Sequence, residues 1–109
     1  DIRTSIIAAI SIKVEDPAID LAIVSSILSS FVDKPVDMKT CFAGEVGLSG
    51  EIRAVTQIDK RVQEAEKLGY KRMFLSEYNS FQPGNTKISL EYVNTVGQLF
   101  SKLFKGSNE

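Results

Sequence analysis

The first part of the chain carries one apolar run followed by a segment with helical spacing. Residues 6–14 (IIAAISIKV) are rich in β-branched side chains, which predicts a largely buried strand. From position 17 to 32, apolar residues recur at 21, 24, 28 and 31, the spacing of a helix face. Asp16 is a suitable N-cap and Pro17 is pre-organised for the first helical position. The pattern therefore predicts a strand and then a helix.

The other face of this helix consists of small side chains rather than long polar ones. Two interpretations fit such a face: close packing on the sheet within the domain, or contact with another subunit. The small size of the domain favours packing within it. The residues concerned are Ala18, Ala22, Ser25, Ser26, Ser29 and Ser30.

The middle of the chain predicts a hairpin and a second helix. Residues 33–37 form a loop, and strands at 40–48 and 51–55 are joined at Ser49-Gly50, a pair typical of tight hairpin turns. Residues 56–59 (TQID) have the form of a capping box before a helix at 57–68. Gly69 is placed to end that helix.

The last third predicts two strands and a final helix. Strands are expected at 70–76 and, as an edge or half-buried strand, at 87–93, with a loop at 77–86 between them. Asn94 or Thr95 caps a helix with its apolar face at positions 96, 99, 100 and 103. The order β-α-β-β-α-β-β-α indicates an α/β layered fold with a mixed sheet. One domain is expected at 1–105, with a disordered tail at 106–109.

Composition then excludes several kinds of chemistry. The chain has 109 residues, no histidine, one cysteine (Cys41) and a net charge of −1. Without imidazole there is no Ser-His-Asp or Cys-His catalysis, and one cysteine cannot build a zinc knuckle. No apolar stretch approaches the roughly 20 residues of a membrane span, and no GxxxxGK[ST] phosphate loop is present. We expect no membrane partner and no cofactor in this domain, and a reducing, cytoplasmic location.

Three separated blocks carry a family resemblance. They are DPAID at 16–20, GEVGLSGEIR at 44–53, and the helix-to-strand step that ends in KLGYKR at 67–72. Their order and spacing resemble the Lon proteolytic domain, whose fold is that of domain 2 of ribosomal protein S5. The particular residues in these blocks are most similar to those of the Lon-like domain of the bacterial RadA (Sms) family of DNA repair proteins. The resemblance covers about Lys13 to Ser76.

This resemblance implies that the domain is not a protease. Lon proteases use a serine nucleophile and a lysine base, so the missing histidine does not by itself exclude their chemistry. In this chain Ala18 stands at the serine position and Asp59 at the lysine position. We therefore expect no catalytic residues. Asp59 is expected to act in the capping box, and Asp20 to complement the helix dipole or, alternatively, to reach a basic residue of another subunit.

The RadA-like resemblance also implies partners and cofactors. It implies that the chain is a piece of a longer, cytoplasmic bacterial protein with a zinc motif and an ATPase core. ATP, Mg²⁺ and zinc would then bind in those other parts. The whole would act as a homo-oligomeric, hexameric ring on single-stranded or branched DNA.

Basic residues cluster in sequence around the hairpin and the second helix. One interpretation is a solvated helix face whose charges are offset by glutamates, with pairs such as Lys60 and Glu64 at i, i+4. The other is a modest DNA-binding patch that becomes effective when it is repeated around a ring. The DNA-binding candidates are Arg53, Lys60, Arg61, Lys67, Lys71 and Arg72.

Three functions remain open at this point. The first is an inactive Lon-like domain that serves as an oligomerisation scaffold in a RadA-type DNA repair ATPase. The second is an active peptidase with a shifted Ser-Lys dyad that uses Lys60 and one of the serines at 11, 25, 26 and 49. The third is a protein-interaction module of another ring ATPase with no role on DNA.

Overall fold

The structure is a computed structural model that describes residues 8–9, 15–79 and 86–104. Its strands are β1 (Ala8–Ala9), β2 (Thr40–Ala43), β3 (Glu45–Val46), β4 (Ile52–Arg53), β5 (Arg72–Ser76) and β6 (Ser89–Val93). Its helices are α1 (Asp20–Val32), α2 (Ile58–Lys67) and α3 (Val96–Phe104). The rest of the strand predicted at 6–14, the middle of the loop predicted at 77–86 and the tail predicted at 106–109 lie outside the described residues.

A four-stranded sheet in the order β1-β2-β5-β6 forms the centre of the fold. All of its neighbouring strands pair in parallel. Parallel neighbours need crossover connections, and α1 and α2 supply two of them. The predicted α/β class is confirmed. The predicted mixed sheet is wrong for the described residues, because the antiparallel hairpin β3-β4 forms a sheet of its own.

The helices cover both faces of the sheet. Side chains alternate along each strand, so Phe42 and Phe74 lie on one face and Cys41 and Met73 on the other. The two phenylalanine rings stack with centroids 5.5 Å apart and pack with residues of α1 and α3. The opposite face packs against Val62 and Ala65 of α2.

Helix α1 turns its small residues inward. A 3-10 turn at Pro17–Ile19 precedes it, and Asp16 caps that turn, as the sequence predicts. The buried residues around the start of the helix and along its inner face are Ala18, Leu21, Ala22, Ser25 and Ser29. Packing within the domain is thus confirmed for Ala18, Ala22, Ser25 and Ser29, whereas Ser26 is half-buried and Ser30 is exposed. The expected burial of Phe31 is wrong, because its side chain is 87% exposed.

The strand predicted at 40–48 is interrupted at Gly44. The Gly44 N–H donates to the Ala18 carbonyl, and the Gly44 carbonyl accepts from Leu21 N–H, both at 3.0 Å. A Cβ on Gly44 would lie 2.9 Å from Cδ2 of Leu21 and 3.2 Å from Cγ2 of Ile52, so these buried side chains would have to shift to admit it. The backbone of Gly44 pairs with the start of α1 and divides β2 from β3. The hairpin beyond it turns through three residues, 48–50, and not through Ser49-Gly50 alone.

The ends of α2 and α3 test the predicted caps. Gly69, at φ +93°, ends α2 as expected, with its N–H donating to the Glu66 carbonyl at 3.0 Å. Thr95 caps α3, since its hydroxyl accepts from Gln98 N–H at 3.1 Å. The capping box at 56–59 is wrong: α2 begins at Ile58, after Gln57 in a left-handed conformation, with no side-chain cap.

Candidate functional site

The position of the expected nucleophile lies in the interior. Ala18 is fully buried in the 3-10 turn. Its N–H donates to Oδ1 of Asp16 at 3.2 Å, and its carbonyl accepts from Gly44 N–H at 3.0 Å. The Ala18 N–H therefore takes part in the cap of the 3-10 turn, and the Ala18 carbonyl joins this turn to Gly44. A methyl group completes the packing at this position.

The position of the expected base lies on the surface. Asp59 is exposed in the first turn of α2, where its charge complements the positive end of the helix dipole. It makes no capping hydrogen bond, contrary to the expectation from the capping box. Of the serines considered for a shifted dyad, Ser25 is buried, Ser26 is half-buried and Ser49 is exposed, while Ser11 lies outside the described residues.

A buried ion pair lies beside position 18. Arg61 projects from α2 and donates from Nη1 to Oδ2 of Asp16 at 2.6 Å and from Nη2 to Oδ1 at 3.1 Å. Its Nε donates to the Thr56 carbonyl at 2.7 Å. The exposed fraction is 0% for the Arg61 side chain and 1% for that of Asp16. This bidentate pair joins the 3-10 turn that precedes α1 to α2.

Asp20 has a partner within its own chain. Its Oδ2 accepts from the Val46 N–H at 3.2 Å. The carboxylate therefore ties the first turn of α1 to β3. This contact supplies a role for the residue that requires neither of the two alternatives considered from the sequence.

The structure separates the six DNA-binding candidates. Arg61 is in the interior, where a phosphate cannot reach it, so its inclusion was wrong. Arg72 lies over the ring of Phe74, 4.6 Å from its centroid, and pairs with Glu91 at 3.6 Å. Three candidates are exposed lysines that form no ion pair within the described residues: Lys60, Lys67 and Lys71.

Arg53 remains at the surface but is already paired. Its Nε and Nη2 both donate to Oε2 of Glu51, at 3.0 and 2.7 Å. The pKa of the Glu51 carboxyl lies below its ordinary value, first because of its own backbone N–H and then because of the Arg53 guanidinium. The hairpin therefore presents a neutral pair and not a free positive charge.

Two surface features were not predicted from the sequence. The first is an apolar stripe on the solvent side of α1, which we call the α1 stripe; it consists of Ile19, Ile23, Ile27 and Phe31. Its i, i+4 spacing was visible in the sequence, but the apolar residues at 21, 24 and 28 have the same periodicity. The second is the pair Lys39 and Lys87, which are distant in sequence and become neighbours of Lys71 only through the register of the sheet.

Other possible chemistry is limited within the described residues. Burial raises the pKa of the Cys41 thiol from 9.0 to about 12, so the thiol is held in its unreactive form. Within residues 15–79 and 86–104, no three His, Cys, Asp or Glu side chains are grouped as a metal site would require. None of the helices in that part of the chain has the length and apolarity to cross a bilayer.

Comparison with known families identifies the domain. The model of the family described as subunit ChlI of Mg-chelatase matches residues 5–79, which include position 18, the hairpin and the Asp16–Arg61 pair. The chain belongs to the ChlI family. Within this ChlI domain, β6 and α3 lie beyond the matched region.

The similar proteins with curated names are DNA repair proteins. The ChlI domain is 46% identical over 99 residues to DNA repair protein RadA of Listeria monocytogenes, covering 87% of this chain. It is 57% identical over 68 residues to that of Bacillus subtilis, covering 62% of this chain. The match to that of Streptococcus pneumoniae is 42% over 96 residues, or 85% of this chain.

The chain covers only part of each relative. It spans 21%, 15% and 22% of the length of these three proteins. The predicted resemblance to the RadA family is confirmed at this level: these relatives are DNA repair proteins of bacteria. The Lon-like identity of the fold stays a prediction.

Proposed function

We propose that this ChlI domain is a catalytically inactive, Lon-like scaffold that assembles a RadA-type DNA repair ATPase into a ring. The absence of a dyad supports the inactive part of the proposal. The nucleophile position holds a buried methyl group and the base position an exposed carboxylate. Neither can activate the other for attack on a peptide bond.

The α1 stripe is the observation that carries the scaffold role. It places four large apolar side chains on one solvent-facing helix surface, with Phe31 87% and Ile27 62% exposed. Exposed apolar patches of this kind mark interaction sites. Burying these side chains against another copy would contribute on the order of 25 cal/mol to the free energy of association for each Å² of apolar surface removed from water. Because the inner face of α1 already packs on the sheet, the stripe is available to a neighbour.

Sedimentation equilibrium of the chain tests this role. We expect concentration-dependent self-association that is lost in an Ile27→Glu variant, since a buried carboxylate opposes the contact. Met38→Glu is the matched control, because Met38 is 64% exposed and belongs to the turn before β2 and not to the helix surface that carries the stripe. A chain that stays monomeric at all concentrations, or that loses assembly equally in both variants, would remove the basis of the proposal.

The DNA contribution is proposed for the solvent face of α2. Lys60 and Lys67 are exposed and seven residues apart, which places them on one side of the helix about 10 Å apart along its axis. Two lysines bind phosphates weakly in one domain, but contacts repeated around a ring add up. We expect an assembled ring to bind a fluorescent single strand at low salt, and Lys60→Glu with Lys67→Glu to weaken it. Unchanged binding in this double variant would refute the assignment.

The remaining parts of the proposal concern the longer protein. ATP, Mg²⁺ and zinc bind elsewhere in it, because this chain has neither a phosphate loop nor a second cysteine. The ring is hexameric and cytoplasmic, and its substrate is single-stranded or branched DNA. Electron microscopy of the full-length protein with and without DNA tests the ring and its subunit number.

A further inference from the structure

Lysines precede the N-terminal ends of three neighbouring strands, at one end of the sheet. Thr40, Arg72 and Ser89 are register partners on β2, β5 and β6. The backbone confirms this alignment: Lys71 N–H donates to the Lys39 carbonyl at 2.9 Å, and Ser89 N–H donates to the Lys71 carbonyl at 2.9 Å. Lys39, Lys71 and Lys87 each lie one or two residues before these strands, and all three side chains are exposed. Lys39 and Lys71 are register partners on neighbouring strands, which lie about 4.8 Å apart, and Lys87 follows on the third strand one position out of register, opposite Tyr70.

Two exposed apolar side chains adjoin this row of lysines. Met38 is 64% exposed and lies in a turn at Asp37. In this turn Oδ1 of Asp37 accepts from Lys39 N–H at 2.8 Å, and the Asp37 carbonyl accepts from Thr40 N–H at 3.0 Å. Leu68, 60% exposed, ends α2 at the same edge of the sheet. We call the surface formed by Met38, Lys39, Leu68, Lys71 and Lys87 the basic edge.

The carboxylates around the basic edge are hydrogen-bonded or ion-paired within the chain. The Asp37 carboxylate accepts a backbone N–H, and Glu66 accepts from the Thr86 hydroxyl at 2.9 Å. Glu91 pairs with Arg72. The three lysines form no ion pair within the described part of the chain. Because three lysines face the two nearby carboxylates of Asp37 and Glu66, the basic edge keeps a net positive charge next to exposed apolar surface.

We propose that the basic edge is a docking site for an acidic peptide segment that carries apolar side chains. Carboxylates of the peptide pair with the lysines, and its apolar side chains cover Met38 and Leu68. This partner goes beyond the proposed scaffold and DNA roles, because it engages neither the α1 stripe nor the pair Lys60 and Lys67.

The composition of the edge favours a peptide over a nucleic acid strand. Single strands are bound through aromatic rings or arginine planes on which bases stack. The exposed apolar groups of the edge are aliphatic, and the nearby Arg72 guanidinium already lies over Phe74 and pairs with Glu91. Flanking carboxylates at Asp37 and Glu66 oppose a continuous row of phosphates, whereas a peptide can place its charges between them.

Fluorescence anisotropy tests the proposal with a labelled peptide of about ten residues that alternates Asp and Leu, a length sufficient for extended docking. We expect binding at low salt, and a loss of about tenfold in affinity in Lys39→Glu with Lys71→Glu, since two exposed ion pairs are lost and the reversed charges repel the carboxylates of the peptide. Met38→Ser should also weaken it. Lys60→Glu with Lys67→Glu is the matched control and should leave peptide binding unchanged.

Two further probes separate the alternatives. A peptide of Asp and Gly, with the same charge and no apolar side chain, should bind more weakly than the Asp-Leu peptide. An oligo-dT strand of similar charge should not depend on Lys39 or Lys71. Equal binding of both peptides, no binding of either, or stronger and Lys39-dependent binding of oligo-dT would overturn the proposal. Urea midpoints measured for every variant ensure that the comparison is between folded proteins.

Discussion

The Asp16–Arg61 pair allows a sharp test of how this domain is held together. Replacing Arg61 by Met preserves much of the volume but removes the three hydrogen bonds described above, two of them to a carboxylate that is 1% exposed. Removing one partner of a buried ion pair costs about 3–5 kcal/mol, because the remaining buried charge loses its bidentate counter-ion. Small domains have a free energy of unfolding of about 5–15 kcal/mol, so this change removes a large part of the stability.

Urea unfolding followed by circular dichroism measures this loss. Arg53→Met is the matched control, because Arg53 has a 53% exposed side chain and pairs with an exposed glutamate. We expect it to cost less than about 1 kcal/mol. A second variant isolates the pair itself. Asp16→Asn keeps an oxygen for the Ala18 N–H, and combined with Arg61→Met it should cost about 2 kcal/mol less than the sum of the single changes.

Two results would refute this reasoning. If Arg61→Met costs no more than Arg53→Met, the burial of the pair has no energetic consequence. If the costs of Asp16→Asn and Arg61→Met simply add, the two residues are not coupled and the pair does not hold α1 against α2.

Three further predictions follow from other parts of the structure. Ellman's reagent should label Cys41 only at the rate of unfolding, and stability should fall as the pH rises above 9.0, because the unfolded thiol ionises there while the folded one has a pKa of about 12 and stays protonated. The chain should not cleave unfolded casein, since Ala18 and Asp59 replace a dyad; cleavage that disappears in Lys60→Ala would show that a different dyad exists. Gly69→Ala should lower the free energy of unfolding by about 1 kcal/mol in a urea titration, because the residue must keep a left-handed conformation.

Local signals in the sequence were sufficient for the elements whose ends depend on neighbouring residues. Asp16 before Pro17, Thr95 before α3 and Gly69 after α2 were all predicted, because a cap or a left-handed turn involves only residues close in the chain. The α/β class followed from the order of these elements. The capping box at 56–59 failed although its pattern was present, since Gln57 turns left-handed and the Thr56 carbonyl is used by Arg61.

The candidate site depended on contacts that join distant parts of the chain. Arg61 looked like a surface cation because its neighbours in sequence are charged, yet its partner is Asp16, 45 residues away. Phe31 looked like part of a buried face because helical spacing cannot distinguish the two sides of a helix that is apolar on both. The inner face of α1 combines small residues with Leu21 and packs on the sheet, and this leaves Ile23, Ile27 and Phe31 on the solvent side.

The sequence alone determined the class of fold and the caps at Asp16, Thr95 and Gly69, because these depend on residue type and local spacing. That Ala18 and Asp59 stand at the positions of a Lon dyad stays a prediction from the resemblance. Only the tertiary structure decided which charges are surface charges and which surfaces are available to a partner. It buried Arg61, paired Arg72, exposed the α1 stripe and brought Lys39, Lys71 and Lys87 to one edge. Strand register and helix orientation fix these relationships, and neither can be read from a local pattern.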